Sequence, residues 1–274
     1  MSIREASHIH IDSHDRISGN DGHFKITVSG IQGKNYDYVC LLSAVFPKTY
    51  YLVQEGYNTF TLSENGTNTT ITVTPGNYNY KSFANYMSAL LTSSSSQGYV
   101  YVLSTPGSSQ AQTGKYTITV TNNGAVQPKL IFLANNNLHE QFGFSRASTN
   151  SFVASTITSV NVVNFQIEPA LYVHSPDMVD NKGDDVLAVV FSSSPDFSSI
   201  VYDCPQIEAR SKKLKSISNT YEIAITDEDK IPIDFNGNNC ILEILFYKKD
   251  NINDLWRTFL EIQTIKSKST VVSN

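Results

Sequence analysis

Apolar and polar residues alternate in short runs along most of this chain, the pattern of strands with one face buried. Residues 7–11 (SHIHI) alternate, and Phe24, Ile26 and Val28 share a face opposite Lys25 and Thr27. Residues 38–46 differ: they are almost continuously apolar, too short for a membrane span, and flanked by turn residues at 33–35 and 54–56. Such a run predicts a strand buried on both faces. Pro47 has no ladder donor, so pairing should break there, and residues 50–53 should resume as a second strand turning the corner of a β-sandwich.

From Asn58 the texture changes. Phe60 and Leu62 face Ile71 and Val73 across Glu64–Asn65–Gly66, which predicts a hairpin. Asn79 is placed to cap a helix carrying Tyr80, Phe83, Met87, Leu90 and Leu91 on one face, ended by Ser93–Ser96 and Gly98. Strands are expected at 99–103 and 116–121, with turns at Pro106–Gly107 and Asn122–Asn123–Gly124. A short apolar run at 130–133 follows, and 138–144 (LHEQFGF) closes the segment. Beyond Ser151 strands are expected at 157–167, 171–174, 186–191, 199–202, 221–225 and 240–247, separated by turns such as Asn181–Lys182–Gly183. A short amphipathic helix at 252–260 and a polar tail from Lys266 come last.

The flanks, 1–56 and 151–274, thus supply eight to ten short strands, enough for two Greek keys. The predicted fold is all-β: a single jelly-roll β-sandwich with a small α+β insertion. The jelly roll takes residues 1–56 and 151–274, and a hairpin–helix–strand unit takes 57–150.

Composition narrows the function classes. Only 16% of the 274 residues are charged and the net charge is −5, which argues against a nucleic-acid binder. No run approaches the length of a membrane helix, and the first sixteen residues contain no apolar signal core, so secretion is not expected. Cys40, Cys204 and Cys240 are far apart and read as buried free thiols of a reducing compartment. The sequons at Asn65 and Asn68 are then unused.

Candidate chemistry is sparse. His8, His10 and His14, with Asp12 and Asp15 nearby, are the best metal candidates, but nothing completes a four-ligand set, and solvated strand histidines are expected. Asp227, Glu228, Asp229, Asp234, Asn236 and Asn238 suggest a calcium loop. Its spacing fails, because Leu245 stands where the bidentate glutamate belongs and Gly237 comes early; a solvated hairpin turn is expected. The basic run 210–215 is read as a solvated loop, and Tyr78, Tyr80, Tyr86, Tyr99 and Tyr101 as facing a core. Nucleophile-elbow, zinc-protease, phosphate-loop and dinucleotide motifs are missing, so no enzyme is expected, and no catalytic, cofactor-binding or metal residue is assigned.

Several phrases carry a resemblance. HIDSHDR, FKITV, SAVFPKTYYLV and NTFTL, then ITVTPGNYNYKSFANYMSALL, EQFGFS and YEIAITDEDKIPIDFNGNNCILEILFY, occur in this order between residues 9 and 247. Together they resemble the penton proteins of virophages and polinton-like viruses, minor capsid proteins with a jelly-roll fold. The resemblance implies a structural virion protein without cofactor, assembled in the host cytoplasm. It would form homopentameric five-fold vertices surrounded by trimers of a major capsid protein, with the insertion projecting outward. The alternative is a β-sandwich that binds a host glycan or receptor through its tyrosine-rich insertion. A metal-dependent hydrolase using the N-terminal histidines is a further rival.

Overall fold

Alternating positions do become strands, and the pairing partners are far apart in sequence. The structure, a computed structural model, describes residues 3–105, 113–134, 138–166, 169–180 and 184–249. The expected helix at 252–260, the tail from 266 and the turns at Pro106–Gly107 and Asn181–Lys182–Gly183 lie outside the described residues. The elements run β1 (Ile3–Asp12), a 3-10 turn (Ser13–Asp15), β2 (Ser18–Gly19), β3 (His23–Thr27), β4 (Tyr38–Pro47), β5 (Thr59–Glu64), β6 (Thr67–Thr72), α1 (Tyr80–Ser94) and β7 (Val100–Ser104). Then come β8 (Thr117–Thr121), β9 (Lys129–Ile131), α2 (Leu138–Phe142), β10 (Thr149–Ser151), β11 (Thr156–Thr158), β12 (Ala170–His174) and β13 (Val186–Phe191). Last are β14 (Ser199–Asp203), α3 (Ile207–Arg210), β15 (Lys212–Lys213), β16 (Thr220–Thr226) and β17 (Ile241–Lys249).

The chain divides into two compact units, Met1–Tyr50 with Pro169–Asn274, and Tyr51–Glu168. In the first, one antiparallel sheet has the order β1-β17-β4-β14, with β15 also on β4, and the other has the order β13-β12-β16-β3-β2. Numbering the eight main strands of this unit in chain order gives 1-8-3-6 in one sheet and 2-7-4-5 in the other. Two four-stranded antiparallel sheets in these orders form a jelly roll. The chain leaves the jelly roll between its third and fourth strands.

The 38–46 strand is only partly buried on both faces. Its register with β17 slips between Glu243 and Ile244, so Leu42 is an extra, unpaired residue, a β-bulge. Val39 and Leu41 are buried before the slip and Ala44 and Phe46 after it, so inward-facing positions change parity at Leu42. On the outer side Tyr38 and Cys40 are covered by Ile207 and Cys204, together with Leu245 and Tyr247, whereas Val45 is 37% exposed. β4 ends at Pro47, but pairing does not break there: Pro47 is the register partner of Ser199, and Lys48 N still donates to Ser198 O. The second strand at 50–53 does not form. Tyr50 packs its ring against Phe235, and Val53 makes only an isolated bridge to Gly76. The chain passes into the second unit after Tyr50, so the segment following Pro47 does not build a sandwich corner.

The second unit has two small sheets, β10-β9-β5-β6 and β11-β8-β7. The hairpin turn is as the sequence predicts: Glu64 pairs with Thr67, and Asn65 and Gly66 hold φ of 46° and 81°, the two left-handed residues of a two-residue turn. Asn79 caps α1 by accepting from the Lys81 and Ser82 amides, and the Ser82 hydroxyl accepts from the Asn79 amide. β7 is an edge strand whose free amides would invite foreign pairing. Helix α1 satisfies two of them: Tyr101 N donates to Thr92 Oγ1 at 3.0 Å, and Leu103 N to Ser88 Oγ at 2.9 Å. The core is aromatic, with Phe83 against Tyr78, Tyr116, Phe142 and Phe165, and Phe60 against Phe132 and Phe142.

Two expectations need correction. The second unit extends past 150, because Phe152 joins its core and β11 pairs with β8. The strand expected over 157–167 stops at Thr158. Beyond it the backbone amides alternate between two segments, Ser159 and Val163 bonding to Tyr116 and Gly114 and Asn161 to Gly143, which leaves Val160 and Val162 exposed. Helices α2 and α3 were not expected from the sequence; each is about one turn long, too short to show a period.

Candidate functional site

The residues singled out for chemistry are dispersed over the fold. His8 and His10 lie on the exposed face of β1, where their register partners on β17 are Leu245 and Glu243. His8 Nδ1 is 3.5 Å from Glu243, while the exposed His14 sits in the 3-10 turn, whose amide donates to Asp12. Among the described residues no three His, Cys, Asp or Glu side chains converge as metal ligands would.

The acidic segment after β16 is solvated at Glu228, Asp229, Asp234, Asn236 and Asn238, as a turn predicts, and departs from that only at its first residue. Asp227 is buried; its carboxylate accepts from the Ile231 amide at 2.8 Å, and burial pushes its pKa above the usual carboxylate range. Asp234 accepts from Asn236 N, and Gly237 N donates to Asp21, so these groups tie the chain to itself. The basic run is also ordered. Lys212 and Lys213 pair with β4, Leu214 is buried and bridges Val179, and Lys213 is 3.6 Å from Asp180. β4 offers its outer edge here because β14 has already ended, and that tertiary circumstance makes a strand of the run.

Of the tyrosines, Tyr99 and Tyr101 are buried and Tyr78 and Tyr86 pack against the core, leaving Tyr80 exposed. Tyr101 donates to Glu64 at 2.7 Å, and Glu64 has no solvent exposure. That carboxylate also accepts from Ser95 Oγ, Ser96 N and Ser96 Oγ, so three donors fasten the end of the hairpin to the end of α1 and Tyr101 ties it to β7. Burial, followed by the bond to Glu64, pushes the Tyr101 phenol far above its ordinary range. The sequence marked Glu64 only as a turn residue, since nothing local distinguishes a buried carboxylate from a solvated one.

A second network was also missed. His174 on β12 lies 2.8 Å from Asp185 through Nδ1 and 3.0 Å from Thr226 Oγ1 through Nε2. Acid, imidazole and hydroxyl in line is the layout of an activated nucleophile. Here the hydroxyl donates to the Asp227 carbonyl, and His174 and Thr226 are both buried, so no substrate carbon reaches the oxygen. The line ties β12 and β16 to the start of β13 instead.

What the jelly roll does present is adhesive surface. Val201, Val45 and Ile241 are register partners across β14, β4 and β17, forming a row of apolar side chains 66%, 37% and 38% exposed. Phe197, 69% exposed, stands at φ 59°, a left-handed conformation costly for an aromatic residue. Lys48 holds it there. Its backbone exchanges bonds with Phe197 and Ser198, and its buried ammonium donates to Ser194 O and lies 3.8 Å from Asp196. An exposed apolar row and an aromatic held in solvent are the material of a protein–protein contact.

No family model and no curated protein sequence matches the chain. Among solved structures it is similar to the mavirus penton protein, with a TM-score of 0.41 and 12% identity over 90% of this chain and 100% of that one.

Proposed function

We propose that this chain is a structural capsid protein that assembles as a homopentamer at the five-fold vertices of an icosahedral virion, surrounded by a major capsid protein. The observation that carries the reading is where the resemblance phrases fall in the fold. HIDSHDR lies at the end of β1, FKITV on β3, SAVFPKTYYLV on and after β4, and YEIAITDEDK with ILEILFY on β16 and β17. The phrases thus mark five of the eight strands of a jelly roll, and they do so in the order of its construction. The exposed row and Phe197 give the reading a surface, since cyclic rings need one patch to meet a different patch on the next copy.

Native mass spectrometry and electron microscopy of the full chain test it. Rings of five 30.4 kDa copies are expected, alone or once the major capsid protein is present. Replacing Phe197 and Val201 with aspartate should abolish them while each copy stays folded. A stable two-fold dimer closed over the Val45–Val201 face, unchanged by the capsid partner, would overturn the proposal.

A further inference from the structure

Cys40 and Cys204 are 164 positions apart in the chain, yet their sulfurs are 3.7 Å apart. We infer that they form a redox-active dithiol, a site where a disulfide closes between β4 and the end of β14. The backbone explains the meeting. Cys204 follows the last residue of β14 and continues its ladder, donating its amide to Leu42 O at 2.8 Å. Its direct neighbour on β4 is therefore Leu42, which makes Cys40 the diagonal one, and diagonal positions on a regular sheet stand about 7–8 Å apart at Cα. Leu42 is the bulged residue, however, and a bulge bends the strand and raises its twist. Both sulfurs end on the outer side of the sheet, in one cluster with Leu245, Tyr247 and Ile207. From 3.7 Å, a bond of about 2.05 Å needs about 1.7 Å of approach, shared between two side-chain rotations.

The two thiols differ in the way a stepwise exchange requires. Cys204 is half-buried and open to a reagent, whereas Cys40 is buried, and burial followed by the contact with Cys204 pushes its thiol up to about 12. Cys204 is thus the attacking sulfur and Cys40 the resolving one. In the first step the Cys204 thiolate attacks a low-molecular-weight disulfide, RSSR, breaking its S–S bond, forming Cys204–S–S–R and releasing RS⁻, which takes up the proton that Cys204 lost. In the second, Cys40 gives its proton to solvent and its sulfur attacks Cys204 Sγ, expelling the second RS⁻. The protein loses two electrons and two protons, and RSSR becomes two RSH. Cys40 also lines a cleft of ≈ 180 Å³ with Tyr202, Arg210 and Lys212. Cys240 takes no part. It is buried next to Asp21 and Ser13, outside that cluster.

The product would join the chain on either side of residues 51–168, closing one covalent loop around the whole second unit. The inference needs only this pair of strands, so it stands or falls independently of the vertex reading. The test uses the full chain, oxidised with glutathione disulfide and then unfolded in guanidinium for thiol counting. Free thiols should fall from three to one, and peptide mapping should find Cys40 joined to Cys204. The mass should drop by about 2 Da, for the two hydrogens lost. The melting temperature should rise and return on reduction, and Cys240→Ser should form the same bridge. Three persisting thiols, glutathione retained on Cys204, or a bridge to Cys240 or to a second molecule would each overturn the inference.

Discussion

The two units solve the same problem, keeping short strands paired and covered, by different means. The jelly roll relies on distance in sequence: β1 pairs with β17, and β4 lies between β17 and β14, so its order is written into long-range registers. The second unit relies on neighbours. Its hairpin closes on a two-residue turn, its helix is capped by its own first residues, and the Ser88 and Thr92 side chains of α1 serve as a substitute strand for the edge of β7. The difference teaches that an insertion of this kind carries its own edge protection. Both units bury polar groups, but the second fastens its hairpin to the end of its helix through one carboxylate, Glu64, held at zero exposure.

The comparison breaks most sharply at the aromatic centres. Phe83→Ala should destabilise the second unit and Phe46→Ala the jelly roll, each by about 3–5 kcal/mol, the range for large-to-small changes at fully buried rings. Calorimetry or hydrogen exchange should show each loss confined to its own unit; a loss spread equally over both would mean that they unfold as one. Next in size is Glu64→Ala, expected to cost about 2–4 kcal/mol because it orphans the Tyr101 hydroxyl and the Ser96 amide. Glu64→Gln should recover only part of this, since one end of an amide donates. Asn79→Ala removes the acceptor for two α1 amides and should cost about 1 kcal/mol, read as lost protection in the first turn of α1.

The smallest effect separates the units by pH. Partial burial alone would raise the Asp185 carboxyl, but the hydrogen bond and charge of His174 outweigh it and hold the group below its usual range. For Glu222 the bond to His23 comes first, and with Lys25 it outweighs desolvation in the same direction. A depressed carboxylate contributes its stability above the unfolded value and loses it as pH falls through the folded one, so the jelly roll should weaken below about pH 4. Asp227 works the other way, because burial raises its pKa and protonation relieves the cost of its buried charge, and the net slope should be shallow. Asp185→Asn should flatten that slope in the jelly roll and leave the second unit unchanged in urea titrations at pH 3–5.

Local signals survived into the fold where the cause was local. Asn65–Gly66 specifies its turn because both residues tolerate positive φ, and no neighbouring atom lies within 4 Å of where a Gly66 Cβ would stand, so backbone conformation alone decides. Asn79 caps its helix through groups within three residues of itself. Alternation at 23–28 and 220–226 settled which side chains face inward, and the strand count in the flanks suited the jelly roll that the sheet order then fixed. Tertiary structure decided the rest: that 159–166 ends as separate hydrogen bonds and not a strand, that 210–215 finds a free edge on β4, that Glu64 and His174 are enclosed by partners 37 and 52 positions away, and that Cys40 meets Cys204. The reason is the same each time. Periodicity reports which face of a segment is apolar, whereas a buried charge, a bulge or a thiol pair is defined by what arrives from elsewhere in the chain, and no local pattern encodes that arrival.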